Sequence, residues 1–168
     1  MLKTLSFFTL LLLFNVIAKA QSPADSVAKR SPARTLTYKQ YQAYLKGEAG
    51  DDMAQVAEMN YYPMPDKALK WKKELALNAE QVQKITEIKA YMHRRRLQIG
   101  GSVISNEKML DSLFRYHKMD DGSLIFFTNR YGLYQGELKN AILQACLATQ
   151  QALTPQQIDK LALLQKPD

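Results

Sequence analysis

Residues 123–152 read SLIFFTNRYGLYQGELKNAILQACLATQQA, and this stretch decides the fold. Within it Phe127, Tyr131, Tyr134, Leu138, Ala141, Ala145, Ala148 and Ala152 recur in steps of four and three, the spacing of a helix–helix seam. A helix of this length reaches about 45 Å at 1.5 Å per residue. Asp120-Asp121-Gly122-Ser123 in front of it supplies a turn and a new N-cap. Gly132 and Gly136 each cost helix stability relative to alanine, so a close helix approach or a bend is expected there.

Working outward, Asn78 opens the preceding helix and Gln81 stands three residues on, the spacing of a capping box. Val82, Ile85, Ile88, Met92 and Ile99 trace one stripe along that helix. Gly100-Gly101 is expected to end it, and Ser105 to cap another helix carrying Met109, Leu110, Leu113, Phe114 and His117. Downstream, Thr154, Pro155 and Gln157 make a second capping box, with Ile158, Leu161 and Leu164 facing inward.

Nearer the N-terminus, Leu36, Tyr38, Tyr41, Tyr44 and Leu45 have helical spacing, and Asp51-Asp52 is placed to start a short helix through Met59. Tyr61-Tyr62-Pro63-Met64-Pro65 must be extended, because each proline turns its predecessor away from the helical region. Asp66 is expected to cap a helix with Leu69, Trp71 and Leu75 on its apolar face. No segment alternates with period two. The expected fold is therefore all-α, with long helical hairpins: about four core helices plus short N-terminal ones.

The first twenty residues read as a signal peptide. Lys3 supplies the positive start, Leu5 to Ile17 an apolar run too short to span a bilayer comfortably, and Ala18-Lys19-Ala20 the small residues of a cleavage site. Cleavage after Ala20 puts the protein in the periplasm without stable membrane insertion. Residues 21–35, rich in Ser, Pro, Ala and charge, read as a flexible leader, and residues 36–168 as one helical domain. The formal charge is +7, and +5 once Lys3 and Lys19 are removed. An exported chain rarely meets nucleic acid, so acidic unfolded chains, acidic polymers and membrane surfaces are the better partners for this charge. Cys146, the single cysteine, permits no intrachain disulfide. It lies among Ile142, Ala145 and Ala148, which makes it a small core side chain, with an intermolecular disulfide or reactive thiol as the competing reading.

Leu77-Asn78-Ala79-Glu80-Gln81 and Leu153-Thr154-Pro155-Gln156-Gln157 resemble the paired LTxxQ motifs of the Spy/CpxP family of small periplasmic proteins. The second copy matches in full; the first has Asn for Thr, which serves the same cap. The segment from Tyr41 to Gln81, with Gly47, Gly50, Ala57-Glu58-Met59-Asn60 and Tyr62-Pro63, also resembles a branch of that family. The resemblance covers roughly residues 41–165. It implies a helical-hairpin protomer that pairs into a cradle-shaped homodimer, and no reaction. Spy-like members are ATP-independent chaperones, CpxP-like members bind a sensor kinase, and CnrX-like members sense heavy-metal ions.

Candidate chemistry is sparse. Two histidines, His93 and His117, and no nucleophile, zinc or phosphate-loop motif give no signal for an enzyme. His117, Met119 and Asp120 gather at a helix end as weak candidate ligands for a transition metal, and Met92-His93 is weaker still because Arg94-Arg95-Arg96 repels a cation. That basic run wraps around its helix in steps of about 100°. It reads either as a solvated surface or as a patch that attracts acidic client segments while apolar side chains hold the rest. Met92, Arg94, Arg95, Arg96, Ile99, Leu113 and Phe114 are the candidate client-binding residues. The expected function is an ATP-independent periplasmic chaperone or stress-response protein for unfolded or misfolded exported proteins. The alternatives are a CnrX-like metal sensor and an inhibitory partner of a membrane sensor kinase.

Overall fold

Helix α5, Asp121–Ala152, forms over the whole stretch quoted above, and its antiparallel partner is helix α4, Ala79–Arg115. A computed structural model describes residues 30–165; the expected signal peptide, most of the expected leader and residues 166–168 lie outside the described residues. At 1.5 Å per residue α4 is about 55 Å long and α5 about 48 Å. Short elements precede this hairpin: α1 (Tyr38–Leu45), a 3-10 helix (Asp51–Ala54), α2 (Gln55–Glu58) and α3 (Pro65–Lys70). Helix α6, Pro155–Leu164, closes the base. The described residues contain no strand, so the fold is all-α.

Helix α4 does not stop at Gly100-Gly101, and Ser105 is an exposed residue in its interior rather than a cap. The reason is tertiary. A Cβ at position 100 would stand 2.3 Å from the Tyr44 carbonyl oxygen, so this glycine admits the backbone of α1 instead of ending the helix. Asp66 is likewise inside the first turn of α3: Pro65 takes the first helical position, and the cap position falls to Met64. Ala33, at the end of the expected leader, is buried beside Leu36 and Ile104.

The main core lies at mid-hairpin, where Met92, Ile99 and Val103 of α4 meet Leu138, Ile142 and Cys146 of α5 under Ala54 and Met64. A second cluster fills the base: Ala68, Leu75, Ile85, Leu153 and Leu161. The two capping boxes sit on this base cluster and join each other. Gln81 Nε2 donates to Gln157 Oε1 at 2.8 Å, and Gln157 Nε2 donates to Gln81 Oε1 at 3.2 Å. Each amide also donates to a free carbonyl, Gln81 to Ala152 (3.0 Å) and Gln157 to Leu75 (3.3 Å). Each oxygen also accepts from its own N-cap N–H, of Asn78 at 3.2 Å and of Thr154 at 2.9 Å. Every N–H and lone pair of the two amides is thereby used. Leu77 and Leu153, one residue before each cap, pack into the same cluster.

Gly132 and Gly136 have nothing within 4 Å of a built Cβ, so neither serves a close approach. Gly132→Ala and Gly136→Ala are each expected to raise stability by about 0.5–1 kcal/mol. The check is the urea midpoint, and a lower midpoint would contradict the open surroundings found here.

Candidate functional site

The hairpin divides into a packed half and a bare half. Buried residues on α4 end at Asn106 and on α5 begin at Leu138; from Glu107 to Glu137 no side chain is buried. Asn106 marks the boundary. Its Nδ2 donates to the Phe127 carbonyl across the hairpin at 3.1 Å, while its own Oδ1 has no protein partner. Beyond it α4 and α5 are the only helices among the described residues, and a two-helix layer leaves apolar side chains on its outer faces.

Those side chains are large. Phe114, Tyr116, Ile125, Phe126 and Leu133 are each more than half exposed, and Met109 is 48% exposed. Arginines stand among them. The Arg130 guanidinium lies over Phe126 at 5.1 Å and Tyr134 at 5.6 Å, with its Nε donating to the Tyr134 hydroxyl at 3.1 Å. Arg115 pairs with Asp111 and covers Tyr116 at 6.0 Å. Such pairing holds a cation over the exposed rings of Phe126 and Tyr116 and over the half-buried ring of Tyr134.

A groove continues from this bare end toward the base between α4 and α5. Ile88, Tyr91 and Arg95 form one wall, and Ala141, Gln144 and Ala145 the other, around a volume of about 340 Å³ at its base-side part. By helical geometry these α4 positions lie on the far side from Gly100, against which the Tyr44 carbonyl of α1 sits, and from His93 and Leu97, which meet Gly47. Arg95 Nη1 donates to Gln98 at 2.7 Å, and Nη2 stands 3.9 Å from Glu137.

The residues expected from sequence to meet clients therefore separate. Arg94, over Tyr91 at 5.9 Å, is exposed, as is Phe114; Arg95 and Leu113 are half-buried, with Arg95 in the groove. Met92 and Ile99 belong to the core. Arg96 is 6% exposed and bonded to the Ala49–Asp51 segment, so it is structural. Ile125, Phe126, Arg130 and Leu133 were missed. Their signal was that residues 124–134 hold more apolar side chains than one helical stripe accommodates.

At the hairpin turn, His117 is exposed with φ 53° and Met119 is half-buried. Asp120 accepts from the Ser123 N–H at 2.6 Å, and this capping bond pulls its carboxyl below the ordinary carboxylate range. Among the described residues no three His, Cys, Asp or Glu side chains come together to hold a metal ion, and no helix is long and apolar enough to cross a membrane.

Cys146 is fully buried, and burial, followed by the nearby Glu58 charge, pushes its thiol up to about 11. The neutral thiol is the form the fold accepts. Unfolding releases a thiol that ionises at its ordinary value of 9.0, so this contribution is complete below about pH 9 and is lost as pH rises toward 11. Cys146→Ala is therefore expected to lose less stability than the wild type between pH 8 and 10.5 in urea titrations. In the native wild type a thiol reagent should react only at the rate of opening. An equal pH response in both proteins would refute the assignment.

Compared with protein-family models, with curated proteins and with solved structures, the chain matches none.

Proposed function

We propose that this chain is a Spy/CpxP-like periplasmic protein that captures unfolded or misfolded exported proteins reversibly, without ATP and without a covalent step. The observation that supports this reading most is the stretch from Glu107 to Glu137, which carries exposed aromatic and aliphatic side chains but buries none. A surface of apolar side chains interleaved with Arg115 and Arg130 suits partners of no fixed sequence. Charge attracts acidic segments at long range, and adaptable apolar contacts hold them weakly enough to release. The two motif copies support the resemblance in a second way, since their glutamines pair directly.

Exposed apolar side chains of this kind also suit a second copy of the chain, and a homodimer through the bare half of the hairpin is part of the proposal. Export, by removal of residues 1–20, is the other part.

The test uses Phe126→Ser combined with Leu133→Ser. Neither side chain is buried, so the unfolding midpoint should stay within about 0.5 kcal/mol of wild type. Capture of a reduced, carboxymethylated protein, followed by fluorescence anisotropy, should weaken severalfold. Unchanged capture would remove the bare half of the hairpin from the reading.

A further inference from the structure

A cavity of about 240 Å³ opens at the base of the hairpin, where Glu58 at the end of α2, the chain from Tyr61 to Pro63, and Leu161 and Ala162 of α6 meet. Pro63 and Leu161 are buried and Ile158 is half-buried, so the wall is mostly aliphatic. Tyr61, also in the wall, is 63% exposed and belongs to the mouth. A dry cavity of about 150 Å³ in another protein holds benzene. This one has room for a single ring with a short arm.

Glu58 is the only charged side chain in that wall. Its Oε1 is enclosed and has no hydrogen bond, although the Lys67 ammonium stands 2.7 Å away. Whatever the cavity meets of this carboxylate is therefore Oε2. The Lys67 side chain is 43% exposed, so water screens much of its pull on Glu58. A carboxylate only accepts, and the group that completes it must donate. Tyr61 is a second sign. It holds φ 65° just past α2, where its N–H donates to the Glu58 carbonyl at 3.2 Å. Glycine takes this conformation without strain, whereas a tyrosine there costs stability. Its ring, in the same wall as a carboxylate, suits a cation.

We propose that this cavity binds a small amine, with one ring seated among Pro63, Ile158 and Leu161 and the ammonium donating to Glu58 beside the Tyr61 ring. The site lies at the other end of the hairpin from the bare half and stands independently of the client-binding reading. A carboxylic acid of the same shape is rejected, because its charge meets that of Glu58 in a mostly aliphatic wall. The bound amine ties the end of α2 to α6, whose Ile158 and Leu161 pack into the base cluster. Filling the site therefore stabilises the fold.

The test is equilibrium dialysis of the exported chain against phenethylamine, 2-phenylethanol and 3-phenylpropionate. The amine should bind saturably at one site, the alcohol severalfold more weakly, and the acid not at all. Saturating amine should also raise the urea midpoint of the wild type. Glu58→Gln should bring the amine down to the level of the alcohol and abolish that rise. Ala162→Phe, at a half-buried wall position, fills the cavity and should abolish binding of both. Tyr61→Gly, which frees the left-handed position, should bind the amine severalfold more weakly without a lower urea midpoint. No saturable uptake by the wild type overturns the site. So does uptake of the acid equal to that of the amine, or amine uptake unchanged in either Glu58→Gln or Ala162→Phe. Each of these outcomes leaves the client-binding reading standing.

Discussion

Gln157→Ala is expected to lower stability by about 2–3 kcal/mol, with Gln81→Ala close behind. Either change removes one side of the paired amides and strands a part-buried carbonyl and the partner amide at the base, while the N-cap N–H it frees faces water. Without Gln157 the Leu75 carbonyl loses its donor, the Thr154 N–H its acceptor, and Gln81 two of its four bonds. Without Gln81 the same happens to Ala152, Asn78 and Gln157. Because the two residues share bonds, the double variant should fall short of the summed losses by about 1–2 kcal/mol. Urea unfolding of the four proteins measures the difference. Strict additivity would mean that each glutamine acts only on its own helix, as an ordinary capping box does.

Arg96→Ala is the other large effect, at about 2–4 kcal/mol. Arg96 Nε donates to the Ala49 carbonyl at 3.0 Å and Nη2 to Asp51 Oδ1 at 2.6 Å. Between those partners sits Gly50, where a Cβ would come within 3.0 Å of Ile142. The guanidinium thus holds a tight loop against the core, and the 3-10 helix and α2 follow from that loop. Asp51 is 75% exposed on its side chain, so water screens the ion pair itself and the cost lies mainly in the lost carbonyl bond and the vacated space. Arg96→Lys should recover less than half, because an ammonium cannot span both acceptors. A loss under about 1 kcal/mol for Arg96→Ala would show that the loop holds without its clamp.

What the sequence made legible was local chemistry. Asn78 with Gln81, and Thr154 with Gln157, announced two helix starts because a capping box needs only four neighbouring residues, and both boxes form. The four-three spacing from Leu138 to Ala145 announced the packed part of the seam. Long-range events were not legible. That the two boxes meet depends on residues 76 apart closing one base. Gly100 reads as a helix stop until the carbonyl of Tyr44 arrives over it. Arg96 reads as one of three surface arginines until the Ala49–Asp51 loop folds onto it.

The candidate surface was half legible for a similar reason. Periodicity marks which residues face a partner helix, and it named Phe127 and Tyr134, both half-buried. It has no way to mark where the covering layer ends. Met92 and Ile99 were placed on the client surface, but they pack into the core with Leu138, Ile142 and Cys146 of α5, whereas among the described residues nothing buries Phe126 and Leu133.

The central claim is capture of unfolded protein without ATP or metal, and light scattering from an aggregating, chemically unfolded protein tests it most directly. The exported chain would be added near one-to-one without ATP, first with chelator and then with copper, nickel or zinc. Suppressed scattering under chelator, with no further gain from metal, is the expected result. Undiminished scattering under chelator, together with metal-dependent stabilisation of the chain itself, would contradict it and point to a metal-responsive protein instead.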